Sequence, residues 1–147
     1  MAKSLEEVKK TRRRNSIIRE VTGMKTSGNK NDEHKLQVRC VRWLRYNHSD
    51  LYKVLFAVPN GGIRDAVISA QLKAEGARAG VADLILLKAN SKHGALCIEM
   101  KTPDGKQSAK QKEWQRDCET FGSGKYSICR SFEEFKQIID DYINDRI

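Results

Sequence analysis

The sequence Gly80–Lys101, GVADLILLKANSKHGALCIEMK, contains two apolar runs separated by a short polar loop. The first run has an acid near its start, Asp83, and the second ends with Glu99 and Lys101. The Asn, Ser and Gly between the runs are typical of a turn, so the stretch predicts a β-hairpin. With the turn centred near Ser91, Asp83 lies directly opposite Glu99. Lys101 shares their face because side chains alternate along a strand.

Charged side chains in a buried strand need a partner, a metal ion or a functional role. Two adjacent carboxylates repel each other, and a divalent cation relieves that repulsion. With the backbone carbonyl of Met100, Asp83 and Glu99 offer oxygen ligands that suit Mg²⁺ or Mn²⁺ better than Zn²⁺. Lys101 would then orient a water or stabilise charge on a phosphate. An internal salt bridge from Lys101 to one of the acids is the structural alternative, and the hairpin alone does not separate the two.

The chain has 147 residues and a formal net charge of +9. This length suits one domain with a hydrophobic core, and the charge indicates an anionic partner, either nucleic acid or an anionic membrane surface. No apolar run approaches the roughly 18 residues of a membrane-spanning helix, and the chain does not open with a signal-peptide pattern. The cysteines show no CxxC spacing, so we expect reduced thiols in a cytoplasmic protein. They are Cys40, Cys97, Cys118 and Cys129.

Residues 1–30 form a distinct basic segment, with nine Lys and Arg residues against three Glu, which accounts for +6 of the total +9. Its densest cluster is Arg12, Arg13 and Arg14. Such an arm can follow a phosphate backbone without reading sequence, and a solvated tail is the alternative. We therefore divide the chain into a basic arm over residues 1–30 and a single domain over residues 31–147.

Before the hairpin, a helix is predicted over residues 32–47. Glu33 and Gln37 lie one turn apart on one side of it, which either faces a cleft or is simply exposed. The apolar positions of this helix are Leu36, Val38, Cys40, Val41, Leu44 and Tyr46, of which Val38 and Cys40 lie off the main stripe.

Alternating apolar residues predict a strand over residues 51–58, ended by Pro59-Asn60-Gly61-Gly62. This loop either lets the backbone approach a phosphate closely or only turns the chain. Arg64 follows within reach of an anion bound there. A second helix is predicted over residues 66–74, and Arg78 after it adds positive charge near the start of the hairpin.

After the hairpin, Ser108 is placed to cap a helix over residues 109–121. Gln111 in its first turn either reaches a bound water or phosphate or is a helix-end polar residue of no consequence. A strand over residues 125–130 and a helix over residues 132–143 close the chain. This order of elements predicts an α/β fold with a central mixed sheet flanked by helices.

Five features in this order resemble those of the VRR-NUC family of the PD-(D/E)XK nuclease superfamily. They are Glu33-x-x-x-Gln37, Pro59-Asn60-Gly61-Gly62, Gly76-x-x-x-Gly80-x-x-Asp83-Leu84, Ile98-Glu99-Met100-Lys101 and Ser108-x-x-Gln111-x-x-Trp114. In one departure, the proline usual before the metal-binding aspartate is Ala82 here. That position is not a ligand, so the expectation of catalysis stands.

The resemblance implies a restriction-endonuclease-like core and an Mg²⁺- or Mn²⁺-dependent endonuclease that acts on DNA. Asp83, Glu99 and the Met100 carbonyl would bind the ion, and Glu33 would bind a second ion or its water. Gln111 would hold a water or a phosphate, and Lys101 would position the attacking water. The expected DNA contacts are Asn60, Gly61, Gly62, Arg64, Arg78 and the cluster Arg12, Arg13 and Arg14.

Stand-alone family members of this size resemble Holliday junction resolvases that act as homodimers, because two-fold symmetry supplies one site for each strand. The apolar residues of the last helix and of the helix over residues 66–74 are the candidate dimer surfaces. A flap- or nick-processing enzyme or a restriction-type nuclease is the nearest alternative. A module that binds DNA without cutting it, or an RNA-binding protein with a structural acidic cluster, represents a different class of function.

Overall fold

The computed structural model describes residues 30–60 and 66–147. Helices and strands alternate along most of this length, in the order α-α-β-α-β-β-α-β-α. The helices are α1 (Lys30–Asn47), α2 (Ser49–Tyr52), α3 (Ala66–Ala74), α4 (Ala109–Thr120) and α5 (Phe132–Ile143). The strands are β1 (Leu55–Ala57), β2 (Leu84–Leu86), β3 (Ala95–Met100) and β4 (Gly124–Cys129).

The four strands form one mixed sheet in the order β1-β2-β3-β4. The pairs β1–β2 and β2–β3 are antiparallel, while β3 and β4 are parallel and are joined by the crossover helix α4. Leu84 pairs with Ile98 and Leu86 with Leu96, which is the register predicted for a turn centred at Ser91. Extended by one position, this register brings Asp83 opposite Glu99.

Helices cover both faces of the sheet, as the α/β prediction requires. On one face, the alternate strand residues Leu84, Leu86, Leu96, Ile98 and Met100 form the main core with α1 and α5. On the other face lies a smaller cluster that includes α4. Its members are Ala82, Ile85, Cys97, Trp114, Cys118, Tyr126 and Ile128.

Local capping explains where the last two helices begin. Ser131 Oγ accepts a hydrogen bond of 3.1 Å from the backbone N–H of Glu134 at the start of α5. At the start of α4, Ser108 Oγ accepts from Gln111 N at 3.2 Å, and Gln111 Oε1 accepts from Ser108 N at 2.8 Å. This reciprocal pair is a capping box, which satisfies two backbone donors at a helix N-terminus. Helix α4 therefore begins at a fixed position after β3.

The strand predicted over residues 51–58 is wrong in its first half. Residues Ser49–Tyr52 form a helical turn, and only Leu55–Ala57 is a strand. Tyr52 N donates to His48 O at 3.0 Å, and Val54 N donates to Leu51 O at 3.1 Å. These local bonds use donors that a strand would have given to a neighbour, and so β1 starts only where it meets β2.

Helix α1 buries a different stripe from the one predicted. Cys40 and Leu44 are fully buried against the sheet, whereas Tyr46 is 77% exposed. Because residues four apart lie above one another on a helix, burial of Cys40 and Leu44 turns Tyr46 away from the core. The prediction that Cys40 lies off the main apolar stripe while Tyr46 lies on it is therefore wrong. None of the described helices is long and apolar enough to cross a membrane.

Two glycines shape the loop between α3 and β2. Gly76 has φ +103° and follows the end of α3, where Ala77 N donates to Leu72 O at 2.8 Å. Gly80 has φ +86°, and a Cβ built there would lie 2.5 Å from the carbonyl carbon of Lys110. Side chains rarely adopt such positive φ angles, so glycine is required. The loop thus packs directly on the backbone of α4 just before Asp83.

Candidate active site

The acidic pair predicted from the hairpin lies together at the end of β2 and β3. Asp83 Oδ2 accepts a hydrogen bond of 2.8 Å from the backbone N–H of Met100, next to Glu99. Asp83 is partly exposed, while Glu99 is only 1% exposed. A short, well-placed hydrogen bond across the hairpin therefore fixes one carboxylate beside the other.

Glu99 is held by two further side chains that the sequence analysis also selected. Lys101 Nζ lies 2.8 Å from Glu99 Oε1, and Gln111 Nε2 donates to the same oxygen at 2.5 Å. Lys101 is itself only 8% exposed. The salt bridge that the sequence left as a structural alternative is thus present. Gln111 combines its part in the capping box of α4 with a direct contact to Glu99.

The other oxygen of Glu99 has no such partner. Glu99 Oε2 is buried and accepts no hydrogen bond of normal geometry from any described residue, although the buried Tyr126 hydroxyl lies close enough to lower the pKa of Glu99. A buried carboxylate oxygen without a donor costs free energy, and such an atom in a native site calls for an ion, a water or a substrate contact. The orphaned oxygen is therefore the most direct indication of a ligand at this site.

Both carboxylates are poorly solvated. Burial raises the pKa of Asp83, against the lowering effects of the hydrogen bond from Met100 N and the charge of Lys101. Burial likewise raises the pKa of Glu99; the Lys101 hydrogen bond lowers it, and the negative charge of Asp83 raises it again. Burial and mutual repulsion thus disfavour two negative charges here, and an additional cation would favour them.

Glu33 joins this group from the first turn of α1. Its Oε1 accepts from the backbone N–H of Thr102 at 3.3 Å, and its charge contributes to the raised pKa of Asp83. The interpretation of this side of α1 as facing a cleft agrees with that position for Glu33. Gln37, one turn further along, lines a groove on the outer side of α1.

The ligand set fits Mg²⁺ or Mn²⁺ only if water completes it. Among residues 30–60 and 66–147, no three His, Cys, Asp or Glu side chains are grouped closely enough to hold an ion by themselves. Mg²⁺ keeps several waters and takes one or two carboxylates from a protein, so the pair Asp83 and Glu99 suits it. The expected third ligand, the Met100 carbonyl, belongs to the backbone between Glu99 and Lys101. The donors are all oxygens, which does not suit Zn²⁺.

The predicted DNA contacts are only partly within the described structure. Gly61, Gly62, Arg64, Arg12, Arg13 and Arg14 lie outside the described residues. Asn60 Nδ2 donates a short hydrogen bond to Val81 O, so this side chain ties the loop after β1 to the residues before Asp83. Arg78 is exposed beside Lys73, Lys110 and Trp114, in a groove of about 340 Å³ between the α3–β2 loop and α4.

Tyr126 of β4 is a neighbour of the site that was not predicted from the sequence. Parallel pairing brings Tyr126 beside Cys97, and alternation then puts it on the same side of the sheet as Glu99. Its hydroxyl is buried without a hydrogen bond of normal geometry to any described residue. Burial raises the pKa of Tyr126, the nearby Gln107 lowers it, and the nearby Glu99 raises it further. Only the pairing of β4 across the α4 crossover brings it close, and no local pattern in the sequence signals that.

Comparisons with known proteins agree with this architecture. The model of the VRR-NUC domain family matches residues 18–133, which is most of the chain. A solved structure described as "VRR_NUC domain protein" has the same fold, with a TM-score of 0.65, 22% sequence identity and coverage of 76% of this chain and 88% of that chain. None of the curated proteins matches the chain. The chain therefore belongs to the VRR-NUC domain family, a nuclease-type family of the PD-(D/E)XK superfamily.

Proposed function

We propose that the protein is a metal-dependent endonuclease that hydrolyses phosphodiester bonds of DNA. The observation that supports this most strongly is the pair formed by Asp83 and the buried Glu99, in which Glu99 Oε2 accepts no hydrogen bond of normal geometry from the described part of the chain while Lys101 lies 2.8 Å from Oε1. A purely structural salt bridge would need neither the second carboxylate nor the unpaired oxygen. The combination is suited to holding a divalent cation beside a fixed ammonium group.

Each residue has a separate part in this proposal. Asp83, Glu99 and the Met100 carbonyl hold Mg²⁺ or Mn²⁺, and Glu33 binds a second ion or its water. A bound ion supplies a more acidic water and stabilises negative charge on the scissile phosphate. Lys101 Nζ donates hydrogen bonds that orient the attacking water. Gln111 keeps Glu99 Oε1 in place, so that Oε2 stays available.

The charge of the chain supports DNA as the substrate. The formal net charge is +9, and 28 Lys and Arg residues are set against 19 Asp and Glu. Positive side chains neutralise backbone phosphates without regard to sequence, so such a surface favours binding to shape rather than to bases. Arg78 and the cluster Arg12, Arg13 and Arg14 are the proposed contributors.

Structure-selective cleavage by a homodimer is the finer part of the proposal, with a four-way junction as the favoured substrate. A two-fold dimer presents two equivalent sites, one for each strand to be cut. Two helices were expected as dimer surfaces. The prediction for α5 is wrong, because its apolar residues Phe135, Ile139 and Tyr142 are buried in the core. Helix α3 still shows large apolar side chains, with Val67 76% exposed. Helix α3 is therefore the dimer surface that we propose.

The test is cleavage of a labelled four-way junction beside nicked, flapped, linear duplex and single-stranded DNA, in Mg²⁺, Mn²⁺ or EDTA. Asp83→Ala and Lys101→Ala should abolish cutting. Glu119→Ala and Lys92→Ala remove the same charges at exposed positions away from the site and should retain it. Paired symmetric nicks in the junction would support the dimeric resolvase.

Other outcomes separate the alternatives. Cutting of flaps or of linear duplex in preference to the junction would support the proposed metal-dependent hydrolysis. It would mean that the favoured substrate is not a four-way junction. Binding without cleavage of any substrate, with no effect of metal, would refute the nuclease and leave a DNA-binding module.

A further inference from the structure

A groove of about 370 Å³ lies between the outer side of α1, the turn of α2 and the edge strand β1. We call it the α1 groove, and its lining includes Gln37, Arg42, Arg45, Tyr46 and Tyr52. Of these residues, only Gln37 belongs to the motifs that mark the family. The groove is therefore a surface that the active site does not explain.

The α1 groove begins near the end of the sheet that carries the active site, on the face covered by α1. Gln37 lies one helical turn from Glu33, whose carboxylate contacts the residue after Lys101. Ala57 at the other wall pairs with Leu84, immediately after Asp83. From Glu33 to Tyr46 the helix extends about 20 Å, at roughly 1.5 Å per residue. A DNA strand that leaves the active site along α1 would thus have several of its nucleotides in the groove.

The charge of the groove favours an anionic occupant. Within the described residues, neither Arg42 nor Arg45 forms an ion pair with a carboxylate, although ion pairs are formed nearby by Lys35 and Lys53. Instead, the Arg45 guanidinium lies 5.7 Å from the centre of the Tyr52 ring. The basic segment 1–30 would be repelled by these arginines, and so would the same groove of a second copy.

Exposed aromatic rings make the groove unlike a simple phosphate-binding surface. Tyr46 is 77% exposed, and Tyr52 is 36% exposed beside it. Rings next to arginines bind single-stranded nucleic acid, because bases stack on the rings while guanidinium groups contact phosphates. Bases in a duplex are already stacked on each other, so Tyr46 offers a partner only to an unpaired base.

We propose that the α1 groove binds unpaired nucleotides of the strand that leaves the active site, with bases stacked on Tyr46 and Tyr52 and phosphates contacted by Arg42 and Arg45. This inference rests on the proposed nuclease function, which it deepens by naming an unpaired strand beside the cut as part of the substrate. The unpaired nucleotides come either from a flap or from a junction arm opened next to the crossover.

The test measures binding of a fluorescein-labelled oligothymidylate to the full chain by fluorescence anisotropy, in EDTA so that no cleavage interferes. Tyr46→Ala should weaken binding at least about fivefold, the low end of the effect of one stacked base, and Tyr46→Phe should restore it. Arg42→Ala should lower the slope of log affinity against log salt by about 0.7, as expected for one phosphate contact on a single strand. Phe121→Ala removes a ring that is 87% exposed at the end of α4 and should change neither quantity.

Unchanged affinity in Tyr46→Ala would overturn the proposal, whether or not the wild-type protein cuts DNA. The basic segment is present in every variant, so its contribution cancels. Sedimentation shows whether Tyr46→Ala converts a dimer to a monomer. Such a conversion, with unchanged affinity for the oligothymidylate, would identify the groove as a protein interface and would also overturn the proposal. Failure of the wild-type protein to cut any substrate would refute the proposed nuclease function alone, because the binding assay does not depend on cleavage.

Cleavage by the same variants distinguishes the two sources of unpaired nucleotides. If Tyr46→Ala loses cleavage of flapped DNA but not of a four-way junction, the groove binds a single strand that already exists in the substrate. A loss on both substrates, with linear duplex unaffected, would assign it to a strand opened at the junction as well. If the wild-type protein cuts DNA and Tyr46→Ala loses no cleavage of either substrate, the inference is contradicted.

Discussion

Replacing Gly80 by alanine tests how the loop before β2 positions Asp83. A Cβ at Gly80 would lie 2.5 Å from the carbonyl carbon of Lys110 and 2.9 Å from the backbone nitrogen of Gln111. Real Cβ atoms essentially never approach other heavy atoms so closely, and both of these are backbone atoms. The loop and α4 must therefore separate. Gly76 supplies a matched control, because it has φ +103° and a Cβ built there would have no atom of the described residues within 4 Å.

The two substitutions share one cost and differ in another. A left-handed backbone conformation costs an L-residue about 1–2 kcal/mol, and Gly76→Ala should lose about that much. Gly80→Ala carries the same cost and adds about 1–3 kcal/mol of overpacking against α4, for a total of about 2–5 kcal/mol. Urea denaturation measures both losses as shifts of the midpoint at an unchanged slope.

A functional effect should accompany the larger loss. Separation of the loop from α4 moves Asp83 relative to Gln111, so Gly80→Ala should also impair metal-dependent cleavage while Gly76→Ala retains it. Equal losses of stability in the two variants would refute the close packing of Gly80 on α4. Normal cleavage by a destabilised Gly80→Ala protein would show that this contact does not set the geometry of the site.

Three further predictions concern the site itself. Mg²⁺ should raise the melting temperature of the wild type but not of Asp83→Asn in scanning fluorimetry, since an ion that binds only the folded state stabilises it; an equal rise in both would place the ion elsewhere. The Mg²⁺ effect should weaken on acidification, beginning at a higher pH than for carboxylates of ordinary pKa, because burial raises the pKa of Asp83 and Glu99 and protons compete with Mg²⁺ for both; persistence of the full effect down to about pH 4 would contradict this. Lys101→Met leaves Glu99 buried without its cation and should cost about 3 kcal/mol in urea denaturation, largely recovered when Glu99→Gln is added; an additive double variant would mean that the two side chains do not interact.

The sequence was sufficient for the hairpin and for the ends of several helices. The register of Leu84 with Ile98 follows from the alternation of apolar residues and the position of the turn, so the convergence of Asp83 and Glu99 was predictable. Helix α5 was predictable because its apolar residues follow helical spacing and Ser131 caps it. Both are local patterns, which a single sequence displays directly.

A competing local turn and non-local packing explain the features that were missed. Tyr52 and Val54 alternate as in a strand, but a short helical turn uses their backbone donors before β1 can pair. Tyr126 comes beside Glu99 only through the parallel pairing of β4. The contact from Gln111 to Glu99 was not predicted, because the distance between them depends on how α4 packs on the sheet.

Gln111 has two roles in the structure. Together they restrict which amino acids natural selection can accept at this position. A capping box works with either Gln or Glu three residues after the serine, so the start of α4 alone would tolerate both. A glutamate here would place another negative charge against Glu99 Oε1, where the amide of Gln111 now donates a hydrogen bond. Drift between these two similar residues, harmless at most helix starts, should therefore be blocked here for as long as the neighbouring acid is needed.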